Sequence, residues 1–167
     1  MNEIFTRRSV RTFSPQPVEP EKAEKLLRAA MQAPSARNQQ PWEFILVTEP
    51  ALLARLGGIH PFSAPAGQAP LVIVALGNRD YMRSPAIWTH DMGAACENIL
   101  LEAVSLGLGA VWMAVEPDPV RVQALRDIFT LPEHVCPFAM IAAGYPAQPT
   151  PPQEDRFHPE RIHYNGY

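Results

Sequence analysis

Three arginines and a serine stand close together near the start of the chain, in the segment Arg7-Arg8-Ser9-Val10-Arg11. Glu3, one helical turn before Arg7, is the only acid nearby. Guanidinium groups are permanently charged and present forked donors that match the oxygens of a phosphate. The serine hydroxyl adds a short donor without cancelling charge. This cluster is typical either of a solvated basic surface or of a phosphate site.

A second segment of unusual composition is Pro34-Ser35-Ala36-Arg37-Asn38-Gln39-Gln40-Pro41-Trp42. It is rich in side-chain amides and is bounded by two prolines, which restrict the backbone at both ends. Amides supply both donors and acceptors, and such groups suit the polar edge of a planar ring. Together, the two segments predict a site for a phosphorylated, planar ligand.

Size and composition exclude several classes of protein. The 167 residues are enough for one domain with a real core, and we expect residues 1–167 to form a single domain. A net charge of −3, with lysine only at Lys22 and Lys25, disfavours a broad nucleic-acid surface. No apolar run approaches the length of a membrane span, and none precedes the arginines. We therefore expect no membrane partner and a cytoplasmic location.

The remaining reactive residue types do not form a recognisable catalytic set. The five histidines are scattered and predict no metal site, and Cys96 and Cys136 lack the spacing of a disulfide or zinc framework. His90-Asp91 could be a general-base pair, or Asp91 could be a helix cap or a buried structural partner. Neither G-x-S-x-G nor G-x-G-x-x-G nor a Walker motif occurs. A phosphate site without a protein nucleophile is typical of an enzyme whose bound cofactor does the chemistry.

Hydrophobic periodicity predicts the elements that must position these residues. Predicted helices run from Asn2 toward Arg8, from Pro20 to Met31, from Ala51 to Leu56, from about Ala86 to Leu106 and from Pro119 to Phe129. Predicted strands are Glu43 to Thr48, Leu71 to Leu76, Ala110 to Val115 and Pro137 to Ala143. The alternation of the two predicts a layered sheet with helices on both faces. We expect an irregular loop from Gly58 to Ala69 and an exposed Lys22.

Nineteen prolines are many for this length, and several lie between Pro146 and Pro159. A proline-rich segment can form neither a long helix nor a central strand. We therefore expect residues 146–167 to form an extended C-terminal arm that lies on a surface, which could belong to a second subunit.

Four segments in this order resemble the nitroreductase family of FMN-dependent oxidoreductases, in its short form, over essentially the whole chain. The segments are Arg7 to Phe13, Pro34 to Trp42, Asp91 to Asn98 with Gly107 to Trp112, and Asp155 to Tyr164. The resemblance implies an α+β protein with a three-layer α/β/α nitroreductase-like fold, a central mixed sheet and dimer-exchanged terminal arms. It also implies a homodimer with FMN at the subunit interface.

The resemblance assigns cofactor-binding roles by segment. Those residues are Arg7, Arg8, Ser9, Arg11, Pro34, Ser35, Ala36, Asn38, Trp112, Met113, Ala114 and Arg156. The N-terminal segment would hold the phosphate and part of the isoalloxazine, with Arg8 contributing mainly backbone, and Arg156 would complete the phosphate clamp. The amide-rich segment of the other subunit would line the ring and ribityl chain. Residues 112–114 would follow the opposite edge, largely through backbone groups.

The implied activity is the reduction of a nitroaromatic, a quinone or a similar small-molecule acceptor by NADH or NADPH, in a ping-pong mechanism. The flavin carries that chemistry, so no catalytic side chain is assigned. Reduction of a flavin places negative charge near N1 and the C2 oxygen, where Arg11 is the best candidate for a stabilising cation. Two alternatives stay open: dehydrogenation, dehalogenation or flavin breakdown on the same scaffold, and a non-catalytic binding protein for a phosphorylated ligand.

The chain also departs from the larger members of that family. They carry a long insertion over the flavin, whereas little chain lies between Leu76 and Ile87 here. We expect a short substrate cover, formed either by Gly58 to Gly67 or by Asn78 to Pro85.

Overall fold

The computed structural model describes residues 2–151 and 153–167. Its helices are α1 (Glu3–Thr6), α2 (Pro20–Met31), α3 (Pro50–Gly57), α4 (Ala64–Gln68), α5 (Trp88–Ser105) and α6 (Pro119–Phe129). Its strands are β1 (Trp42–Val47), β2 (Leu71–Asn78), β3 (Gly109–Ala114) and β4 (Val135–Gly144). Single 3-10 turns are formed by Ala36–Asn38, Arg79–Tyr81, Pro85–Ile87 and Pro159–Arg161. No helix in these residues is long and apolar enough to cross a membrane.

The four strands form one open sheet in the order β1-β2-β4-β3. Every neighbouring pair of these strands is antiparallel. The sheet of the single chain is therefore antiparallel throughout, whereas the sequence analysis expected a mixed sheet; an isolated parallel bridge joins Ser9 to Ala110 on the outer edge of β3. Because β3 is the last strand of the sheet, its outer edge carries the backbone N–H and C=O groups that are not hydrogen-bonded to β4.

Helices cover both faces of the sheet, which gives the three layers. On one face, Ile73 and Ala75 of β2 pack in a core with α2 and α5. On the other face, Val72 and Val74 pack in a core with α3, α4 and α6. All eight residues of β2 are buried, as its continuous apolar run predicts for a central strand.

Local signals set most helix boundaries where the sequence predicts them. Helix α2 begins at Pro20, whose missing N–H costs nothing at a first helical position. Helix α6 begins after Asp118, whose carboxylate accepts from the backbone N–H groups of Val120 and Arg121. Gly107, at φ 73°, makes the turn from α5 into β3.

Two expectations about local structure are wrong. The segment from Gly58 to Ala69 is not an irregular loop throughout, because Ala64–Gln68 is helical and its Ala66 is fully buried. A helix this short shows no periodicity in a sequence and depends on packing against α3. The two helices approach so closely that a Cβ on Gly57 would lie 2.8 Å from the Cα of Gly67.

Lys22 is not on an exposed helix face. Its Nζ donates to the carbonyl oxygen of Leu106, at 3.1 Å, and to the hydroxyl of Tyr145, at 2.7 Å. That hydroxyl donates in turn to the carboxylate of Glu19, at 2.8 Å. The network ties α2 to the ends of α5 and β4, and those partners are too distant in sequence for a helical pattern to reveal.

We call residues 7–13 the N-terminal strap, because they cross the sheet edge at β3. The N–H of Val10 donates to the carbonyl oxygen of Ala110 at 3.0 Å. Only glycine fits at position 109, since a Cβ there would lie 2.6 Å from Cγ2 of Val10. After Phe13 bridges Pro146, the described residues of the C-terminal arm contain one 3-10 turn, no strand and mostly exposed side chains.

Candidate functional site

Residues from the two ends of the chain meet around a cavity of about 650 Å³, which we call the terminal cavity. Arg7 contributes from the strap and Arg156 from the C-terminal arm, beside Gln153. The walls also include Phe5 and Phe157, two aromatic residues with largely exposed side chains. The structure therefore brings together the two arginines that the sequence analysis placed at a phosphate.

Gln153 fixes the relation between these arginines. With its amide oxygen facing Arg156, it accepts from that guanidinium at 2.9 to 3.1 Å and donates to the carbonyl oxygen of Arg7 at 3.1 Å. Arg156 is thus positioned by a neutral partner and keeps its full charge. Arg7 contacts one carboxylate, that of Glu97 on α5, at 3.3 Å through Nε. Its two Nη groups have no hydrogen-bond acceptor among residues 2–151 and 153–167.

Acidic residues also border the terminal cavity and outnumber its two arginines. Glu97, Glu154 and Asp155 all contribute to its lining. The Asp155 carboxylate is engaged locally, because it accepts from the N–H of Phe157 at 3.0 Å. An anion entering the cavity would therefore meet the guanidinium groups of Arg7 and Arg156 with three carboxylates nearby, of which Glu97 contacts Arg7 directly.

The strap continues from the terminal cavity to the edge of β3. Ser9 is exposed beside Ala110, and Arg8 is half-buried and has contacts of its own. Arg11 is exposed, and its Nη1 lies 3.4 Å from the carbonyl oxygen of Ser9. Four residues of extended chain span at most about 14 Å, so the arginine at position 11 can lie one ligand length from Arg7.

Arg11 borders a second cavity, of about 530 Å³, which we call the edge cavity. One wall is the free edge of β3, and the opposite side consists of the segment from His60 to Pro65 with Arg121 of α6. Trp112 also lines the cavity, and its ring packs edge-on against Phe138, with centroids 5.7 Å apart, in the core shared with α2 and α5.

Residues 112–114 do not face the edge cavity equally. The carbonyl of Ala110 accepts from Val10, and alternate residues of a strand turn their backbone groups to the same side. The backbone groups of Trp112 and Ala114 therefore point to the free edge, where Arg121 donates to the carbonyl oxygen of Ala114 at 3.0 Å. Met113 turns its backbone toward β4, and its side chain is buried.

His60 is the titratable group of the edge cavity. Its Nδ1 accepts from the N–H of Phe62 at 3.0 Å, which leaves the proton of the neutral ring on Nε2. Burial lowers the pKa of His60, and the positive charge of Arg121 lowers it further, against a smaller opposing effect of Asp118. The imidazole is therefore neutral near pH 7.

The amide-rich segment lies apart from both cavities in a single chain. Pro34, Ser35, Ala36 and Asn38 line neither of them. The segment has a fixed shape: Arg37, Asn38 and Gln40 have φ values of 47–52°, and Ser35 Oγ accepts from the N–H of Gln40 at 3.0 Å. The structure therefore presents these polar groups on the surface rather than toward the arginines.

Asp91 is a buried structural partner and not half of an exposed base pair. One carboxylate oxygen accepts from the N–H of Ala36 at 2.9 Å, and the other accepts from the side-chain amide of Gln39. Gln39 is itself buried, and its oxygen accepts from the N–H groups of Arg83 and Ser84 at 2.8 Å. The pair thus links the amide-rich segment to α5 and to the connection after β2.

A family model described as Nitroreductase family matches residues 4–59 and 62–145. The chain belongs to the nitroreductase family. This match covers the strap, the amide-rich segment and β3, the parts of the chain that carry most of the predicted site.

Relatives and solved structures agree with this family over nearly the whole chain. A protein of Methanothermobacter thermautotrophicus, provisionally named NADH dehydrogenase/NAD(P)H nitroreductase, is 42% identical over 98% of this chain and 85% of its own. The FMN reductase (NAD(P)H) of Bacillus subtilis is 28% identical over 96% of this chain and 74% of its own. An FMN-dependent nitroreductase structure from Clostridium difficile is 27% identical and covers 99% of both chains, with a TM-score of 0.91. The predicted nitroreductase-like α/β/α fold is confirmed, whereas the exchange of terminal arms in a dimer stays a prediction.

Three residues that line the candidate site or position its segments were not predicted from the sequence. Gln39 was noted only as part of an amide-rich run, although its position between two prolines was a usable signal. Gln153 has no signal in the sequence, because its role depends on the meeting of the two chain ends. Arg121 lies in the first turn of α6, and in the sequence nothing distinguishes it from an exposed helical arginine, because its contact with β3 is not local.

Proposed function

We propose that the protein is an FMN-dependent oxidoreductase that uses NADH or NADPH to reduce nitroaromatics, quinones or similar acceptors in a ping-pong mechanism. The observation that carries the proposal is the meeting of Arg7 and Arg156, from opposite ends of the chain, at the terminal cavity. The relatives support it, since one is an FMN reductase and one an FMN-dependent nitroreductase.

The residues present fit a flavin mononucleotide. Two guanidinium groups at the terminal cavity suit a phosphate close to dianionic, and the hydroxyl of Ser9 adds a donor between them and the sheet edge. The strap then leads to Arg11 and the free edge of β3, where a planar ring would meet backbone donors and acceptors. A site for the charged phosphate and a site for the flat, polar ring thus follow one another along the same strap.

Each residue then has a separate physical task. Arg7 and Arg156 would bind the phosphate and set the affinity, because hydrogen bonds between charged groups are the strong ones. Arg11 would stabilise negative charge on the ring and favour its reduction. The backbone groups of Trp112 and Ala114 would orient the ring edge, whereas Met113 would contribute only through packing.

A bound FMN would supply the hydride and electron transfer between NAD(P)H and an acceptor, which no side chain of this protein provides. The chain has to hold donor and acceptor in turn at one place, because the edge cavity is a single space. That restriction favours release of oxidised nicotinamide before the acceptor enters. No side chain is required as the proton source, since the cavity is open to water.

We further propose a homodimer in which a second chain completes each site. The C-terminal arm exposes Phe157, Ile162 and Tyr164 to solvent in the single chain, and such side chains are usually covered. Pro34, Ser35, Ala36 and Asn38 line neither cavity of their own chain, so they are available to a partner's site. We propose the cytoplasm as the location, since Cys96 and Cys136 are unpaired thiols.

The absorption spectrum of the purified protein tests the cofactor, and anaerobic stopped-flow tests the reaction. We expect a yellow protein whose flavin band bleaches with NAD(P)H and recovers when a quinone is added. Light scattering during size-exclusion chromatography should give twice the chain mass. A colourless protein that does not bind added FMN would contradict the proposal and favour a simple binding protein.

A further inference from the structure

Three residues follow one another along the free edge of β3, and two of them, Arg11 and Arg121, are cationic. Ser9 pairs with Ala110 at one end, Arg11 borders the middle, and Arg121 binds the carbonyl of Ala114 at the other end. From residue 110 to residue 114 a strand rises about 14 Å. Arg121 therefore lies at the end of β3 that is farther from the Ser9 bridge.

The guanidinium of Arg121 is held in a fixed orientation. Its Nη1 donates to Ala114, and its Nε lies 2.9 Å from the carboxylate of Asp118. Asp118 is fixed in turn, because it caps α6. Among residues 2–151 and 153–167, Nη2 of Arg121 has no hydrogen-bond acceptor, although the residue lines the edge cavity. A fixed guanidinium loses little entropy when it binds one further anionic group.

The charged groups around the edge cavity leave it positive. Arg11 and Arg121 line it, and the carboxylate of Asp118 compensates one of them. His60 adds no charge near pH 7, because burial and Arg121 lower its pKa. At the mouth, the ring of Phe62 is 77% exposed and offers a flat apolar surface.

We propose that the edge cavity selects planar acceptors that carry an anionic substituent, and that Arg121 binds this substituent. Carboxylated or sulfonated quinones and nitroaromatic acids have this chemistry. Phe62 would cover the planar part, and Arg121 would determine the specificity without contacting the reacting atoms. This inference rests on the proposed function, because it concerns the acceptor half of that reaction.

For a quinone acceptor, the reaction transfers two electrons and two protons. NAD(P)H and one proton from solvent give two electrons and two protons to the quinone, which leaves as a hydroquinone with oxidised nicotinamide as the other product. The anionic substituent takes no part in the transfer and changes only binding and orientation. Its effect should therefore appear mainly in KM for the acceptor rather than in kcat.

The test compares 1,4-naphthoquinone with 1,2-naphthoquinone-4-sulfonate, and nitrobenzene with 4-nitrobenzoate, using FMN-loaded protein. We expect the Arg121→Gln substitution to reduce kcat/KM for the anionic acceptors about tenfold, the effect of one charged hydrogen bond, through KM. Turnover of the neutral acceptors by the same variant should stay near that of the unmodified protein. Arg121→Lys should restore part of the preference, because it keeps the charge.

Arg55→Gln is the matched control, since it removes a charge from the exposed end of α3 and does not line the cavity. This substitution should leave kcat/KM unchanged for both anionic and neutral acceptors. Equal losses for anionic and neutral acceptors in Arg121→Gln would overturn the inference and assign the residue a structural role. If the unmodified protein turned over neutral and anionic acceptors equally well, the inference would be overturned and the proposed function would stand. Absence of turnover with every acceptor would remove the proposed function first.

Discussion

The terminal cavity and the edge cavity lie at opposite ends of one strap, yet they hold their arginines in different ways. At the terminal cavity, Arg156 is positioned by the neutral amide of Gln153, and Arg7 has a single carboxylate contact. At the edge cavity, Arg121 is paired with Asp118 and with a carbonyl oxygen. The first arrangement places two guanidinium groups on one small cavity, which suits a phosphate, whereas the second fixes a single guanidinium beside a space for a planar group.

The largest expected effect comes from removing an arginine of the terminal cavity. Replacing Arg7 or Arg156 by alanine should weaken FMN binding by about 1.5–3 kcal/mol, the range for hydrogen bonds to charged groups. Fluorescence titration of the apoprotein with FMN measures this. Lys25→Ala is the control, because Lys25 is exposed, whereas Lys22 is bonded to Tyr145 and would report on folding. Equal losses of FMN affinity in the Lys25→Ala and Arg7→Ala variants would mean that the terminal cavity does not bind the phosphate.

A substitution at Gly109 should disturb both cavities at once. The methyl group of Gly109→Ala would lie 2.6 Å from Val10, so the strap would have to move. Overpacking of this kind costs about 1–3 kcal/mol, measured by urea denaturation, and should weaken FMN binding as well. Gly58→Ala is the matched control, because its Cβ meets nothing closer than 3.5 Å. An unchanged affinity in Gly109→Ala would show that the strap does not hold the ligand.

The Arg11→Ala substitution should show whether Arg11 acts on the flavin ring or on the phosphate. Arg11 has no carboxylate partner among residues 2–151 and 153–167, and it lies beside the predicted ring position. Its loss should lower the two-electron potential of bound FMN by up to about 30 mV, equivalent to tenfold weaker stabilisation of the reduced form. Spectroelectrochemical titration measures the potential. A large loss of affinity at constant potential would instead place Arg11 at the phosphate.

The smallest expected effect concerns pH and the edge cavity. The pKa of His60 is lowered from its ordinary value of 6.5, so the folded protein resists protonation that the unfolded chain accepts. Stability should therefore fall as pH drops below about 6.5, and should level off below the folded pKa. Urea denaturation between pH 5 and pH 8 measures this, and His60→Gln should flatten that part of the profile. An identical profile in the variant would assign the pH dependence to other groups.

Prediction from sequence succeeded where the relevant signal was local. The apolar run of β2 and the proline and aspartate at the start of α6 are contained in a few residues, and both elements lie where we expected them. It failed for α4 and for Lys22, because each depends on packing with a distant part of the chain. For Asp91 the sequence left two roles open, and the contacts with Ala36 and Gln39 decide between them.

By itself, the sequence determined the chemistry available to this protein: a block of guanidinium groups near one end, two arginines near the other, and an amide-rich segment between two prolines. Residue types and short-range periodicity carry that information directly. Only the tertiary structure decided that Arg7 and Arg156 share a cavity, that Met113 turns away from the sheet edge, and that Arg121 stands beside Ala114. These are contacts between residues far apart in the chain, and they exist because the sheet and its two helical layers bring the segments together.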